Sequence, residues 1–309
     1  IHGGTMKKLF KTLFMLGLLF ILAGLIVEKK EVLSELIDYL IKNKANQITA
    51  PEKNAYYRNY DFSYVQNTSN FIPECKQDLL NIYYTIINSG VSEYDFFCHK
   101  DYDDCMADVK DIANDQETLS TINNYVHPYN GFQHIETKFD NYGKITITIQ
   151  KSYSGQDIKE VNAQLDYIEN NIVDKSKSAE DNIRAIHDYI INNTKYDKNH
   201  EENNKSETAF GALINGYSIC GGYTDAMELM LERLNIESYK VSSSTHIWNA
   251  VNLNNKWYHI DLTWDDPVTE NGTDILDDSF FLIDTKKLLE IEPKEHNFNE
   301  DAYAELKTA

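Results

Sequence analysis

The stretch Cys220-Gly221-Gly222-Tyr223 decides the fold of this chain, because a helical pattern begins directly after the cysteine. From there to residue 235 most apolar side chains fall on one helical face: Tyr223, Met227, Met230, Leu231 and Leu234. The pattern places Cys220 at the helix N-terminus, where unpaired backbone N–H groups and the helix dipole favour the thiolate form. The sequence therefore predicts a nucleophilic thiol at the start of a buried helix.

Two strands that follow this helix form a predicted hairpin. The segments 246–253 and 256–262 have strand patterns, and Asn254-Asn255 lies between them. Asn tolerates positive φ, so a two-residue loop is favoured, and Leu253 then pairs with Lys256.

This register places an imidazole and a carboxylate on the same face of the hairpin. Trp248 faces Asp261, and His246 is a diagonal neighbour of Asp261, with Cβ atoms about 7 Å apart. A slip of one residue would send the two side chains to opposite faces. Cysteine, histidine and aspartate are the parts of an activated nucleophile with its base and orienting group. Each of them alone is more simply a structural residue, whereas the combination favours catalysis.

Four short segments resemble the transglutaminase-like superfamily, whose fold is related to papain. They are Cys220–Tyr223, His246–Val251 (HIWNAV), Trp257–Asp261 (WYHID) and Thr263–Pro267 (TWDDP). The resemblance implies an α+β fold in which the nucleophile helix packs on an antiparallel sheet. It also implies that Cys220, His246 and Asp261 are the catalytic residues.

The chemistry implied by the resemblance is acyl transfer through a cysteine thioester on a peptide or carboxamide substrate. Hydrolysis would make the protein a peptidase, and attack by an amine would make it a transglutaminase; the sequence leaves both open. The backbone N–H of Cys220 is the first candidate oxyanion donor, and Tyr196 and Tyr217 are candidate side-chain donors. Trp248, Tyr217 and Tyr223 are predicted to contact substrate.

A second hypothesis is a non-catalytic, surface-anchored module that uses the same cleft to bind peptides or cell-wall polymers. Two further histidines also bear on the site. His187 is predicted to be a core histidine, and His259 has the side-chain direction needed to line the site edge. No local ligand spacing for zinc, EF-hand loop or glycine-rich phosphate loop occurs, so neither metal nor cofactor is expected.

The charge balance argues against nucleic acid as a partner. The 309 residues include 29 Lys and Arg against 49 Asp and Glu, a formal net charge of −20. Nucleic-acid affinity depends on basic contacts, so this balance instead suits solubility or a cationic partner.

The first 30 residues have the pattern of a targeting segment. Lys7, Lys8 and Lys11 precede an apolar run over 12–27. This pattern predicts a signal peptide or an uncleaved signal-anchor, with the catalytic domain outside the cell. The expected partners are the membrane, through this segment, and peptide or protein substrates at the cell surface.

The remaining chain divides into three predicted parts. Residues 31–70 are polar and are predicted to be a stalk, residues 71–155 a small α+β domain, and residues 156–309 the catalytic domain. Besides Cys220 the chain has three cysteines, Cys75, Cys98 and Cys105. An extracellular location permits a disulfide between any two of them and leaves one thiol over.

Overall fold

The computed structural model describes residues 47–99, 101–140, 142–198, 205–267 and 277–308, with short stretches and single residues before 47. The predicted targeting segment lies outside the described residues, except for Met15 and Lys29. Among the helices that the structure describes, none is long and apolar enough to cross a membrane.

The N-terminal part combines three helices with a three-stranded antiparallel sheet. In chain order the elements are α1 (Lys76–Ser89), β1 (Glu93–Phe97), α2 (Cys105–Asn114), α3 (Gln116–Asn124), β2 (Phe132–Phe139) and β3 (Lys144–Lys151). The strand order is β1-β3-β2. The α+β character predicted for this region is confirmed, and β2 and β3 form an antiparallel hairpin.

The helical stretch from Cys105 to Asn124 is two helices and not one, because Asp115 interrupts it. Asp115 has extended backbone angles and caps α3 by accepting a hydrogen bond from the Glu117 N–H. Aspartate competes for backbone donors in this way and so favours helix starts over helix interiors.

A disulfide joins two cysteines of this region. Cys98 follows β1, Cys105 begins α2, and their sulfur atoms are bonded. Cys75 is a free, exposed thiol. The structure thereby selects one of the pairings that the sequence left open.

The second part carries the nucleophile helix and the predicted hairpin. Its elements are α4 (Gly155–Asn171), α5 (Ala179–Asn193), β4 (Lys195–Tyr196), β5 (Tyr217–Ser218), α6 (Cys220–Arg233), β6 (Ser238–Ser242), β7 (Ile247–Leu253), β8 (Lys256–Ile260) and α7 (Thr285–Ile291). The sheet order is β6-β7-β8. The antiparallel sheet against which α6 packs confirms the α+β, papain-like core.

The hairpin register predicted from the two asparagines is confirmed. Leu253 pairs with Lys256, and Asn249 pairs with Ile260. Asn254 and Asn255 have φ values of 57° and 62°, which only a residue tolerant of the left-handed region adopts without much strain.

The predicted stalk is wrong for residues 50–70, which pack onto the folded chain. Phe62 and Val65 lie in the same hydrophobic cluster as Tyr239 and Trp248 of the β6–β8 sheet. Arg58 is buried and forms an ion pair with Glu228, a buried residue in the middle of α6. The polar composition led to the wrong prediction because this segment buries its few apolar side chains and Arg58 against the rest of the chain.

The Arg58–Glu228 pair generates a stability prediction. Arg58→Met should destabilise the protein by about 3–5 kcal/mol, because it leaves the Glu228 carboxylate buried without its cation. The double variant Arg58→Met/Glu228→Met should recover most of that loss. Urea unfolding of the three proteins measures both effects.

Arg233→Met is the matched control, because Arg233 makes its ion pairs to Asp166 and Glu169 near the surface. It should cost less than about 1 kcal/mol. Equal losses for Arg58→Met and Arg233→Met would contradict a structural role for the buried pair.

Candidate active site

The position of Cys220 depends on two glycines that follow it. A Cβ atom on Gly222 would lie 2.0 Å from Ser218 Oγ and 2.6 Å from the carbonyl oxygen of Thr208. A Cβ on Gly221 would lie 2.9 Å from the carbonyl oxygen of Glu207. Only glycine lets the chain at 206–208 pass this close to the first turn of α6, so the Gly-Gly pair fixes how the half-buried Cys220 is presented.

Polar contacts tie the start of α6 to the strand that follows His246. Thr224 Oγ1 donates to the carbonyl oxygen of Cys220 at 2.8 Å and also lies 3.0 Å from the carbonyl oxygen of Ile247. Asn249 Nδ2 donates to the carbonyl oxygen of Thr224 at 3.1 Å. These bonds fix the helix tip relative to the hairpin, so the thiol and the imidazole come together.

His246 and Asp261 are joined by a direct hydrogen bond. His246 Nε2 lies 2.5 Å from Asp261 Oδ2, and both side chains are buried. The other carboxylate oxygen of Asp261 accepts from the backbone N–H groups of Thr263 and Trp264 at 3.0 and 3.2 Å. Because Nε2 is engaged by the carboxylate, Nδ1 is the ring nitrogen left for the thiol.

The electrostatics of this pair favour a charged imidazole and a charged carboxylate. Burial opposes the imidazolium, but the negative charge and hydrogen bond of Asp261, with a contribution from Cys220, raise the pKa of His246 to about 10. Burial likewise opposes the Asp261 anion, yet the neighbouring histidines hold its pKa well below the usual range. The two shifts agree in favouring the ion pair near neutral pH.

A comparison with known protein families covers this part of the chain. Residues 166–262 match the family model described as the transglutaminase-like superfamily, which takes in Cys220, His246 and Asp261. The chain is therefore similar to the transglutaminase-like superfamily over this segment. The resemblance carried by the sequence motifs is thereby confirmed.

Two solved structures show partial likeness to this chain. One, "Crystal structure of a TGase", has 15% identity and a TM-score of 0.32, covering 45% of this chain and 46% of that one. The other, from Cytophaga hutchinsonii, is called a "Putative Cysteine Protease" and has 14% identity and a TM-score of 0.29. The matched region covers 48% of this chain and 69% of that chain. No curated protein sequence matches the chain.

A histidine that sequence reasoning missed completes the surroundings of Asp261. His296 Nε2 lies 2.9 Å from Asp261 Oδ2, the same oxygen that His246 contacts. His296 is completely buried, although it follows the acidic, polar segment after α7. No spacing rule connects it to the hairpin, because it lies 35 residues beyond Asp261 in a segment without periodicity.

The predicted substrate-contacting residues differ in accessibility. Trp248 is buried, stacks on His246 with ring centroids 5.6 Å apart, and donates from Nε1 to His259 Nδ1. Tyr223 is also buried, with its hydroxyl bonded to Asp266. Tyr217 is partly exposed in β5, directly before the nucleophile segment. Substrate contact by these three side chains stays a prediction.

Tyr196 is the candidate side-chain oxyanion donor that the structure places near the thiol. It is half-buried in β4, which pairs in parallel with β5. Burial and neighbouring negative charge, Cys220 first and then Glu295, raise the pKa of Tyr196, so its hydroxyl stays protonated and able to donate. Its role in stabilising an oxyanion stays a prediction, as does that of the Cys220 N–H.

His187 is the core histidine that the sequence predicts. It is buried between Asp188 and Asp265, at 2.9 and 3.1 Å. Burial, and to a lesser degree the charge of Asp261, raises the pKa of Asp265 to about 6, although the hydrogen bond from His187 opposes that shift.

His259 is buried as well, and it does not line an open site edge. It accepts from Trp248, and its Nε2 lies 3.0 Å from Thr285 Oγ1. Burial and the nearby His296 lower the pKa of His259 to about 3, so this ring is neutral.

One group of described side chains is compact enough to be tested as a cation site. The nearest ligand atoms of His246, Asp261 and His296 lie within 4.8 Å of one another. Both imidazole Nε2 atoms already hydrogen-bond to Asp261 Oδ2, which uses the atoms that a metal would require. In this structure the three side chains form a hydrogen-bonded network.

The His246–Asp261 pair generates a prediction about protonation. In Asp261→Asn the pKa of His246 should fall from about 10 to near or below its ordinary value of about 6.5, because burial remains and the carboxylate charge is lost. Titration of the histidine ring by NMR measures it. Asp278→Asn, which removes an exposed carboxylate paired with Arg184, should leave the value unchanged.

The same pair sets a pH window for stability. The pKa of His246 is higher in the folded protein than in the unfolded chain, so its pairing with Asp261 stabilises the fold. This stabilisation is complete below about pH 6.5 and is lost as the pH rises through about 10. The difference in free energy of unfolding between the parent and Asp261→Asn should therefore shrink across that window. A difference that grows with pH would contradict the ion pair.

Proposed function

We propose that this protein is a thiol-dependent acyl-transfer enzyme acting on peptide or carboxamide carbonyls. The observation that carries the proposal is the juxtaposition of Cys220, at the tip of α6, with the hydrogen-bonded His246–Asp261 pair. Each of the three has a position suited to its proposed role as nucleophile, base and orienting group. The match of residues 166–262 to the transglutaminase-like superfamily supports an enzyme, since this family is generally enzymatic.

In the proposed first step Cys220 Sγ attacks the carbonyl carbon and the C–N bond of the substrate breaks. His246 carries the thiol proton and returns it to the nitrogen that leaves as an amine or as ammonia. The product is a thioester on Cys220. Water then attacks the thioester to give a carboxylic acid, or an amine attacks to give a new amide, and Cys220 is regenerated in both cases.

The other residues have supporting roles in this proposal. Asp261 holds the His246 ring through Nε2 and stabilises its cation. The Cys220 N–H at the uncapped start of α6 donates to the developing oxyanion, since no side chain caps this helix.

The activity is tested by incubating the purified protein with peptides that contain glutamine and lysine, followed by mass spectrometry. Loss of ammonia with cross-linking identifies a transglutaminase, and chain cleavage identifies a peptidase. Cys220→Ala should abolish turnover, since no other group replaces the nucleophile, while peptide affinity measured by calorimetry is retained.

Cys75→Ala is the matched control, because Cys75 is free and exposed. It should leave turnover unchanged. Peptide binding without turnover in the parent protein would overturn the enzyme proposal and favour the non-catalytic binding module instead.

We further propose that the enzyme acts outside the cytoplasm on peptides or proteins at the cell surface. The charged and apolar pattern of residues 7–27 supports an export or anchor segment. The Cys98–Cys105 disulfide supports an oxidising compartment.

The exposed Cys75 thiol provides a direct test of that location. In a Cys220→Ala background, which leaves Cys75 as the one free thiol, a membrane-impermeant maleimide should label the chain in intact cells as completely as in lysed cells, and adding Cys75→Ser should remove the label. Labelling that appears only after lysis would place the domain inside the cell. The readout is the mass shift of the chain on a gel.

A further inference from the structure

The segment after α7 brings a second imidazole to the Asp261 carboxylate. The Glu292 side chain forms the turn that delivers it, because Glu292 Oε2 accepts from the backbone N–H groups of Lys294 and Glu295 at 2.9 and 2.7 Å. The carbonyl oxygen of Glu292 lies 3.2 Å from His296 Nδ1. The ring is thereby held at both nitrogens.

The hydrogen-bond partners of His296 determine its protonation. Nε2 faces the carboxylate of Asp261, whose low pKa keeps it ionised and acceptor-only. Nδ1 faces a backbone carbonyl oxygen, which also only accepts. Both nitrogens must therefore carry hydrogen for both bonds to form, and a doubly protonated imidazole is a cation.

Aromatic rings enclose this imidazole and exclude water. His296 stacks on Phe280 with centroids 5.3 Å apart and lies edge-on to Trp248 at 4.7 Å and tilted to Trp264 at 5.7 Å. The edges of cationic rings and the faces of aromatic rings attract each other electrostatically. The enclosure fixes the ring in one orientation and strengthens its interaction with Asp261.

The charged groups that face His296 come from three elements. Asp261 and His246 belong to the ends of the hairpin, and Glu292 belongs to the end of α7, with its carboxylate oxygen 3.7 Å from Nδ1. His246 lies edge-to-face with His296, with centroids 5.3 Å apart. His259 also lies close but is neutral. A cation on His296 therefore repels a cation on His246, across one shared carboxylate oxygen.

We propose that His296 is a positioning residue of the active site, which holds Asp261 in place and lowers the affinity of the His246 ring for the proton that its Nδ1 exchanges with the thiol and the leaving amine. This inference rests on the proposed acyl transfer, in which His246 must release its proton to the leaving amine. A carboxylate that pairs with one imidazole alone stabilises the imidazolium more than a shared carboxylate does, and so makes release of the proton costlier. Sharing Oδ2 with His296 offsets part of that stabilisation.

The variant His296→Gln separates charge from hydrogen bonding. Its amide can still donate to Asp261, but the positive charge is lost. Like charges about 5 Å apart change each other's pKa by about 1 or more at an effective dielectric constant of about 20, and the Glu292 carboxylate offsets part of this. We therefore expect the pKa of His246, measured by NMR of the ring nitrogens, to rise by about 1.

The variant His296→Phe removes the donor as well and keeps a ring in the enclosure. Turnover should fall about tenfold in kcat with little change in KM for His296→Gln, and further for His296→Phe, so that the donor of Gln rescues part of the loss. His259→Gln is the matched control, since it alters a buried, neutral histidine of the same cluster that does not touch Asp261. It should leave the pKa of His246 unchanged.

Three results would overturn the inference. The first is an unchanged or lowered His246 pKa in folded His296→Gln. The second is a singly protonated His296 in the parent protein at pH 7, which NMR detects whether or not any variant folds. The third is a stoichiometric metal ion in the purified protein that is bound at His296. A raised His246 pKa in a protein without turnover would uphold the role of His296 and overturn only the acyl-transfer proposal.

Discussion

The buried carboxylate of Asp261 is the constraint on which the rest of this site depends. Two backbone N–H groups bind one of its oxygens and two imidazoles bind the other, so all of its acceptor positions face donors. A buried anion is costly unless it is compensated in this way. The folded chain must therefore bring the hairpin end and the segment after α7 to one point, and that requirement organises the C-terminal part of the molecule.

The buried charged side chains of the nucleophile helix α6 also need compensating partners. Its buried charged residues each have a partner on another element: Glu228 pairs with Arg58, and Asp225 pairs with Lys240 of β6 at 3.0 Å and with Tyr153 at 2.7 Å. These contacts reach from the segment before α1 to the β6–β8 sheet. The N-terminal part thus packs against α6 and this sheet, and the two parts share a hydrophobic cluster.

His259 and His296 both lie against Trp248, but their hydrogen-bond partners differ. His259 accepts a hydrogen bond from an indole and is neutral, whereas the two nitrogens of His296 face a carboxylate and a backbone carbonyl oxygen, both of which accept. Burial alone disfavours the cation in both rings. The difference arises because His296 has an ionised carboxylate as a partner and His259 does not. One aromatic cluster therefore holds a neutral ring beside the proposed ion network.

The sequence by itself determined the nucleophile helix, the hairpin and the relation between His246 and Asp261. These depend on local information, namely helical periodicity after Cys220 and a two-residue loop at Asn254-Asn255 that fixes the strand register. Only the tertiary structure decided the packing of Arg58 against α6 and the approach of His296 to Asp261. Those contacts join residues 170 and 35 positions apart, and partners so distant leave no local pattern, because side-chain burial depends on what the rest of the chain places around them.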